Sequence, residues 1–489
     1  MSSTDALSPV GFIGLGAMGF AMSTHLVRTG FPVRGYDIYR PTLERWETAC
    51  KDIKDSRAVV ADSPADAVKD ASVVCLMVAN HHHVHSALFD DKLGAVHALA
   101  QHCTVIIHAT IPPTQPGVVR SRLTEEFHRP DVKLIDAPVS GGVARSVNGT
   151  LTIMASSDEA ANLEQPSAKQ VLENLASKGE TLYPIPGGLG TGESAKALNQ
   201  VMCGIHMVAA SEIMGLAAIN GLDTEKFYDS LVSRDSTGQT ALGWSWMFEN
   251  RGPRMLSATP ATASATAIID KDVGIIRDEE TRLNVDLPLL NRTSEILKQV
   301  MKTHAAADDS VVVQYYLGFA SPRQNLVVEQ AGRANESTPG QEIDMQMLAH
   351  AHAIIHLNSA YETIKFAQAL DLMSPDQQKQ WFAIISSAAG ASTIFSEVIP
   401  RALGHPDGID VAFSAYADEK FRDIVGEAVC LSLVFSFGAF VASDTTSLTT
   451  GFLAWAQDAI ISDAKEKGYQ PLLLEAALNF VRQLLSDDE

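Results

Sequence analysis

The sequence predicts an α/β protein in which a doubly wound parallel sheet is followed by an all-α domain that is duplicated. Short apolar runs recur at regular spacing over the first third of the chain, with helix-length segments between them. Residues of the last third repeat residues of the middle third at a nearly constant offset. These observations predict three domains, over residues 1–186, 187–305 and 306–489.

Length and composition exclude several classes of protein. A chain of 489 residues has room for about three domains, and its net charge of −21 argues against nucleic acid or an anionic membrane as partner. Five widely spaced cysteines without a CxxC pair favour a reducing compartment. The first residues lack the pattern of a signal peptide, and the apolar run Ala428–Ala442 is too short to cross a bilayer. We therefore expect a cytoplasmic protein.

The first strand leads into a glycine-rich turn. Val10–Ile13 reads as a buried strand, and it continues into the motif Gly14, Leu15, Gly16, Ala17, Met18, Gly19. A helix is expected over Ala21–Arg28 and a second strand over Phe31–Tyr36. A glycine motif between strand and helix is typical of a Rossmann-type dinucleotide site, in which the first glycine permits the tight turn, the second admits the pyrophosphate and the third allows close packing.

An acidic residue follows this motif at the expected distance. Asp37, at the end of the second strand, can accept hydrogen bonds from the ribose hydroxyls and would repel a 2′-phosphate. The sequence therefore predicts NAD as cofactor, while the nearby Arg40 leaves NADP open. A flavin site, or a fold of this type without a ligand, is the alternative.

Three further strands are expected, and the loops after them supply candidate cofactor residues. The strands are Ser72–Val78, Thr104–Ile107 and Lys133–Asp136. The loops contain Asn80, Thr110 and the segment Ala137–Gly142, which lie at the carboxyl edge of a parallel sheet. Histidines 81, 82, 83 and 85 follow one strand, but consecutive histidines cannot all face one ion, so we predict a polar helix start and no metal.

The middle of the chain contains a long apolar helix that carries a lysine near its start. Apolar residues recur every three or four positions from Ser194 until Gly221, which places them on one broad face. Lys196 and Asn199 are neighbours on this helix. Such a lysine is either solvated or employed in chemistry, and this pattern alone leaves both readings open.

With these residues in hand, the chain resembles the β-hydroxyacid dehydrogenase family, which includes 3-hydroxyisobutyrate dehydrogenase. The resemblance covers about residues 9–300 and rests on four motifs in the family's order: Gly14–Gly19, Asp136–Gly142, Gly190–Asn199 and Lys271–Val273. The segments from Gly142 to Ser156 and from Trp246 to Arg251 look like the branch of L-threonate dehydrogenases, which oxidise the C2 hydroxyl of four-carbon sugar acids.

The resemblance implies a role for each matching residue. Lys196 matches the catalytic lysine and Asn199 the amide that accompanies it. Ser140, Gly141 and Gly142 match the loop that holds the substrate carboxylate. Thr110 matches a threonine near the nicotinamide, although Ala109 precedes it where many relatives have serine, and Lys271 matches a lysine that closes over cofactor and substrate.

These residues suit the oxidation of a small hydroxy acid with NAD. A hydride leaves carbon while the hydroxyl proton passes to a base, and lysine can be that base if its pKa is lowered toward neutrality. Backbone N–H groups of Gly141 and Gly142 with the Ser140 hydroxyl could hold a carboxylate, although this segment alone could also be a plain turn. The rivals are an imine reductase, which usually replaces the lysine, and a cofactor-binding sensor without turnover.

The last third of the chain repeats the middle third without its chemistry. Ile205-His206 and Glu212 recur 150 positions later as Ile355-His356 and Glu362, whereas Lys196 becomes Gln346 and Asn199 becomes Ala349. Farther on, Lys271–Val273 falls opposite Arg422–Ile424. We expect a catalytically silent copy that packs against the first, in a monomer with an internal pseudo-dimer or in a homodimer. The alternative is that the C-terminal region binds a regulator or another protein. The connection is expected over residues 303–340.

Overall fold

The structure is a computed structural model that describes residues 7–236, 238–319, 321–333, 343–402 and 457–486. It forms two compact units, Met1–Ala197 and Leu198–Glu489. The boundary falls inside a single long helix, Thr191–Ile219. The three-domain division stays a prediction.

The first unit contains a nine-stranded sheet. Its strands are β1 (Val10–Ile13), β2 (Val33–Tyr36), β3 (Ala58–Val60), β4 (Val73–Leu76), β5 (Thr104–Ile107), β6 (Lys133–Asp136), β7 (Val139–Ser140), β8 (Thr152–Ser157) and β9 (Leu182–Pro184). They are ordered β3-β2-β1-β4-β5-β6-β8-β7, with β9 beside β8. Strands β1 to β6 are paired in parallel, whereas β8 runs antiparallel to both β6 and β7.

Helices connect these strands. They are α1 (Ala17–Arg28), α2 (Arg40–Lys51), α3 (Pro64–Ala67), α4 (His81–Phe89), α5 (Gln115–Ser121), α6 (Gly142–Asn148) and α7 (Pro166–Leu175). Shorter helical turns lie at Ala95–His97, Arg122–Glu126, Ala160–Asn162 and Ser177–Gly179.

Alternate residues of the central strands enter two different cores. Phe12 and Cys75 belong to the core on one face of the sheet, and Ile13 and Leu76 belong to the core on the other. This is the period of two that a strand imposes on its side chains. Because helices cover both faces, β1, β4 and β5 are buried throughout, and their sequences are apolar apart from Thr104 at the start of β5.

The five strands predicted from the sequence are confirmed, with some changes of extent. β1, β5 and β6 have the predicted bounds, whereas β2 and β4 are shorter and α1 begins four residues earlier, at Ala17. The prediction of a purely parallel sheet was incomplete, because β7, β8 and β9 extend it on one side and β8 is antiparallel to two of its neighbours. The predicted helix start at His81–His85 is confirmed as α4.

The second unit is helical in its described residues. Its helices are α8 (Thr191–Ile219, from Leu198 on), α9 (Thr224–Val232), α10 (Trp246–Met255), α11 (Thr266–Leu283), α12 (Pro288–His304), α13 (Val312–Leu317), α14 (Leu326–Gln330), α15 (Met345–Ala369), α16 (Pro375–Ser387), α17 (Ile399–Ala402), α18 (Ser462–Glu466) and α19 (Leu472–Ser486). The connection expected over 303–340 is therefore partly helical, through α13 and α14. The counterparts proposed at Arg422–Ile424, together with Cys430 and the run Ala428–Ala442, lie outside the described residues.

Reciprocal contacts support the predicted duplication. The carboxylate of Glu212 on α8 accepts hydrogen bonds from backbone N–H groups of Leu473 and Leu474, at the start of α19. Glu362 on α15 does the same for Leu289 and Leu290, at the start of α12. Each long helix therefore caps the last described helix of the opposite copy.

A second pair of equivalent residues meets directly. The rings of His206 on α8 and His356 on α15 lie with centroids 4.2 Å apart, and both side chains are fully buried. Residues related by a two-fold rotation touch each other only near its axis. This contact therefore indicates that an approximate two-fold axis relates the two copies.

One described helix is long and apolar enough to cross a membrane by length and composition. It is α8, with 29 residues and a mean hydropathy of 1.6 over its most apolar window. That window is 94% buried inside the structure, which is typical of a core helix.

Candidate functional site

The glycine turn after β1 has the geometry that a dinucleotide requires. Gly14 has a φ of +94°, and a Cβ there would lie 2.3 Å from the carbonyl oxygen of Met77. A Cβ on Gly19 would lie 2.0 Å from the carbonyl oxygen of Gly14, so helix and strand can approach closely only with glycine.

Gly16 occupies a different environment. It is the N-cap of α1, makes no side-chain capping hydrogen bond, and has no atom within 4 Å of a Cβ built upon it. Space and unpaired N–H groups at a helix start are what a pyrophosphate needs. The turn Gly14–Gly19, with Leu15, Ala17 and Met18, therefore fits the phosphates of the predicted cofactor.

Asp37 lies at the end of β2, beside this turn. One of its carboxylate oxygens accepts a hydrogen bond from the backbone N–H of Leu15 (2.7 Å), and the other from that of Tyr39 (2.8 Å). These bonds fix the carboxylate at the tip of the strand. Arg40 forms an exposed ion pair with Glu44.

The other predicted cofactor residues follow the neighbouring strands. Ile13, Leu76, Ile107 and Asp136 are in register across β1, β4, β5 and β6, so the loops after them begin at one edge of the sheet. Asn80 caps α4 by accepting a hydrogen bond from the N–H of His83. Thr110 follows β5 at the same edge. No cluster of histidine, cysteine and carboxylate side chains that could hold a metal occurs among the described residues.

The predicted carboxylate loop begins in a short strand. Ser140 is buried in β7 and pairs with Thr152 of β8. Gly141 and Gly142 have φ values of +129° and +66°, in the region that glycine alone enters readily. A Cβ on Gly142 would meet no atom within 4 Å, so its backbone borders open space. The geometry leaves room for a ligand here, although sequence reasoning had not predicted the strand.

The start of α8 is attached to the carboxyl edge of the sheet by Asp136. Its two carboxylate oxygens accept hydrogen bonds from the N–H groups of Gly190 and Glu193 (both 3.1 Å), and one of them also from the Ser156 hydroxyl (2.6 Å). The Glu193 carboxylate accepts a further bond from the N–H of Ile111. Burial raises the pKa of Asp136 to about 6, against these hydrogen bonds, which lower it.

Lys196 follows within one turn of this anchored helix start. It is only 5% exposed, so the reading of Lys196 as a solvated surface residue was wrong. Burial of an amine in a helix attached beside β5 and β6 suits a group employed in chemistry.

In the second unit, Asn199 and Lys271 are joined through two residues that sequence reasoning missed. Asn199 donates to the side-chain oxygen of Gln200 (3.0 Å), and Gln200 donates to the carboxylate of Asp272. Asp272 forms an ion pair with Lys271 (2.9 Å). The available signal for Gln200 was its spacing, because residues four apart on a helix share a face and Gln200 is four after Lys196.

Two parts of the chain match known families. Residues 9–183 match the NAD binding domain of 6-phosphogluconate dehydrogenase, and residues 190–316 match the NAD-binding domain of NADP-dependent 3-hydroxyisobutyrate dehydrogenase. L-threonate dehydrogenase from Cupriavidus necator is 33% identical over 315 residues, which are 64% of this chain and 97% of that enzyme. The chain belongs to the β-hydroxyacid dehydrogenase family.

Other relatives and solved structures agree with this assignment. Human mitochondrial 3-hydroxyisobutyrate dehydrogenase is 28% identical over 64% of this chain and 88% of its own. The crystal structure of 3-hydroxyisobutyrate dehydrogenase from Salmonella typhimurium, 28% identical, aligns with a TM-score of 0.54 over 63% of this chain and 99% of its own. The predicted resemblance and enzyme class are confirmed: this family member is an NAD(P)-dependent oxidoreductase.

A more distant structure extends over the last third as well. 6-phosphogluconate dehydrogenase from Plasmodium falciparum aligns with a TM-score of 0.62 over 98% of this chain and 93% of its own, at 14% identity. At that identity the likeness concerns the fold alone. The predicted fold class, a Rossmann-type sheet followed by helices, is confirmed.

Proposed function

We propose that this enzyme oxidises the hydroxyl of a small hydroxy acid, with Lys196 as the general base. The proposed substrate is a four-carbon sugar acid such as L-threonate, or 3-hydroxyisobutyrate. The 33% identity of this chain to an L-threonate dehydrogenase supports the first, and its similarity to 3-hydroxyisobutyrate dehydrogenases supports the second. The observation that carries the proposal is the burial of Lys196 near the start of α8. This helix start is hydrogen-bonded to Asp136 and Ile111, and it therefore lies at the same edge of the sheet as Gly14.

Each group of residues has a defined task in this reaction. The nicotinamide cofactor, when bound, accepts the hydride from the substrate carbon. The Lys196 amine takes the hydroxyl proton, and in the reverse direction the protonated amine polarises the carbonyl. Ser140, Gly141 and Gly142 hold the substrate carboxylate with a hydroxyl and backbone N–H donors, which suits a chain whose net charge of −21 opposes anions.

The residues after β1 and β2 fit the cofactor and favour NAD over NADP. Gly16 borders open space at the uncapped start of α1, where a pyrophosphate fits. The Asp37 carboxylate would repel a 2′-phosphate, and Arg40, the nearby cation, is paired with Glu44. Asn80, Thr110 and Lys271 complete the proposed cofactor contacts.

Assembly and location belong to the same proposal. The reciprocal caps of Glu212 and Glu362 support a chain that contains its own helical pseudo-dimer, and light scattering would distinguish a monomer from a homodimer. The four described cysteines form no disulfide with one another, in keeping with the cytoplasm.

A panel of substrates tests the proposal. The protein is incubated with NAD or NADP and with threonate, erythronate, 3-hydroxyisobutyrate or glycerate, and absorbance of the reduced cofactor is followed. We expect turnover with at least one acid and faster turnover with NAD. Reduction of imines with no oxidation of hydroxy acids would favour an imine reductase, and cofactor binding without any turnover would favour a sensor.

A further inference from the structure

The amide of Asn199 is held by the degenerate second copy. The backbone N–H of Gly390 donates a hydrogen bond to the side-chain oxygen of Asn199 (3.1 Å). Gly390 lies in a buried turn, Ala388–Ala391, which is closed by a hydrogen bond from the N–H of Ala391 to the carbonyl of Ala388. Asn199 itself is fully buried, so bulk solvent does not compete with this donor.

This contact sets the direction of the hydrogen bonds beyond it. A backbone N–H can only donate, so the Asn199 oxygen must face Gly390 and its NH₂ group must face Gln200. The Gln200 oxygen accepts that bond, and its NH₂ group donates to the Asp272 carboxylate. With a fixed donor at one end and an acceptor at the other, neither amide can flip.

The first copy contains an equivalent turn, Ala241–Trp244, with Gly243 in the place of Gly390. The two turns are followed by Ser245 and Ser392, which pair with each other and cap Phe248 and Phe395 respectively. The flanking backbone bonds are reciprocal, from the N–H of Trp246 to Ala391 and from that of Thr393 to Trp244.

The two glycines face different residues on the opposite long helix. A Cβ on Gly390 would lie 2.9 Å from the Asn199 side-chain oxygen. A Cβ on Gly243 would lie 2.5 Å from the carbonyl of Ala349, the residue that stands where the first copy has Asn199. Gly390 therefore meets a side-chain amide of the opposite long helix, whereas the nearest atom to the Cβ position of Gly243 is a backbone carbonyl oxygen.

We propose that Gly390 is a positioning residue for the dehydrogenase reaction. Its N–H holds Asn199, and through Asn199 it orients Gln200, Asp272 and Lys271. The second copy is thus catalytically silent but contributes to the geometry of the first. This inference rests on the proposed function, in which Asn199 and Lys271 belong to the site.

Two matched glycine variants test it. Gly390→Ala places a methyl group against the Asn199 oxygen and should lower kcat about 10-fold, within the range of coupling energies between contacting residues. Gly243→Ala introduces a clash at least as close in the equivalent turn, against Ala349, and should lower Tm without lowering kcat. In an Asn199→Ala background, Gly390→Ala should cause no further loss of kcat, because both changes break the same contact.

Each outcome bears on a different claim. Equal kcat losses in the two glycine variants, or an additive loss in the double variant, would overturn the positioning role of Gly390 and leave the proposed function standing. A wild-type protein that oxidises no hydroxy acid would overturn the proposed function, and this inference with it.

Amide hydrogen exchange provides a test that does not depend on the folding of the Gly390→Ala or Gly243→Ala variant. Peptides that cover residues 388–391 should exchange slowly in the wild type and at least about 10-fold faster in Asn199→Ala, because the Gly390 N–H loses its acceptor. Peptides covering residues 241–244 should not change. Unchanged exchange at 388–391 would overturn the proposal.

Discussion

The helices α8 and α15 share the residues by which they pack but not the residue that is proposed to be catalytic. Each helix carries a buried histidine and a buried glutamate, and the residues of α15 follow their counterparts on α8 by 150 positions. The two histidines contact each other, and the two glutamates make equivalent hydrogen bonds. At the start of α8, however, Lys196 is buried, whereas its counterpart Gln346 on α15 is exposed. Given the proposed role of Lys196, the difference teaches that packing and catalysis depend on separate positions of one helix, so either can be lost while the other stays.

The sharpest test of this comparison is to replace Lys196 on α8 and its counterpart Gln346 on α15. Lys196→Ala should lower kcat about 10²- to 10⁴-fold, the usual contribution of a positioned acid or base, while cofactor binding survives. Gln346→Ala should leave kcat unchanged because its side chain is exposed on the copy that is proposed to be catalytically silent. Steady-state kinetics and cofactor titration measure both; near-normal turnover in Lys196→Ala would remove this lysine from the mechanism.

Replacement of Glu212 or of Glu362 should lower stability to a similar extent, in contrast to the unequal effects expected for Lys196 and Gln346. Glu212→Ala and Glu362→Ala each leave two backbone N–H groups at a helix start without an acceptor. We expect each to lower the free energy of unfolding by about 3 kcal/mol, because a buried donor left without an acceptor costs about 1–3 kcal/mol. Urea denaturation measures this, and a large cost at one position with none at the other would contradict the reciprocity.

The smallest expected effect is on pH dependence and concerns the paired histidines. Burial lowers the pKa of His206 and of His356 well below 6.5, so the unfolded chain takes up protons before the folded one does. The stability they contribute is present above about pH 6.5 and is lost as pH falls below it, by up to about 1.4 kcal/mol per pH unit for each histidine.

Replacement of either histidine isolates this contribution. His206→Leu and His356→Leu should each lose less stability than the wild type between pH 6.5 and 5.5, by about 1 kcal/mol. Glu212 and Glu362, whose pKa values burial raises to about 7 and 8, titrate in all three proteins and cancel in the difference. Parallel urea curves at the two pH values measure it; identical pH dependence in all three would contradict the assignment.

Local patterns predicted the sheet and the nucleotide turn, because both depend on neighbouring residues. Short runs that contain consecutive apolar residues predicted the bounds of β1, β5 and β6, and the spacing of Gly14, Gly16 and Gly19 reflects contacts within one turn. The short strand β7 was missed because its two residues form a strand only by pairing with β8.

The rest of the candidate site depends on contacts that no local pattern contains. Gly390 meets Asn199 across 191 positions of sequence, and Gln200 meets Asp272 across 72. The motifs drew attention to Lys196 and Asn199, but which groups hold the Asn199 amide follows only from the packing of the second unit. Duplication was visible in sequence as an offset, whereas the reciprocity of Glu212 and Glu362 required coordinates.

Ser245 and Ser392 pair within one chain, so the stability of this contact does not depend on protein concentration. Contacts between separate subunits weaken on dilution, whereas those between tethered segments do not. A symmetric homodimer also receives every substitution twice, while a tethered pair can alter one partner alone. Under the proposed function, the chain can therefore dedicate one helical copy to the reaction and the other to scaffolding.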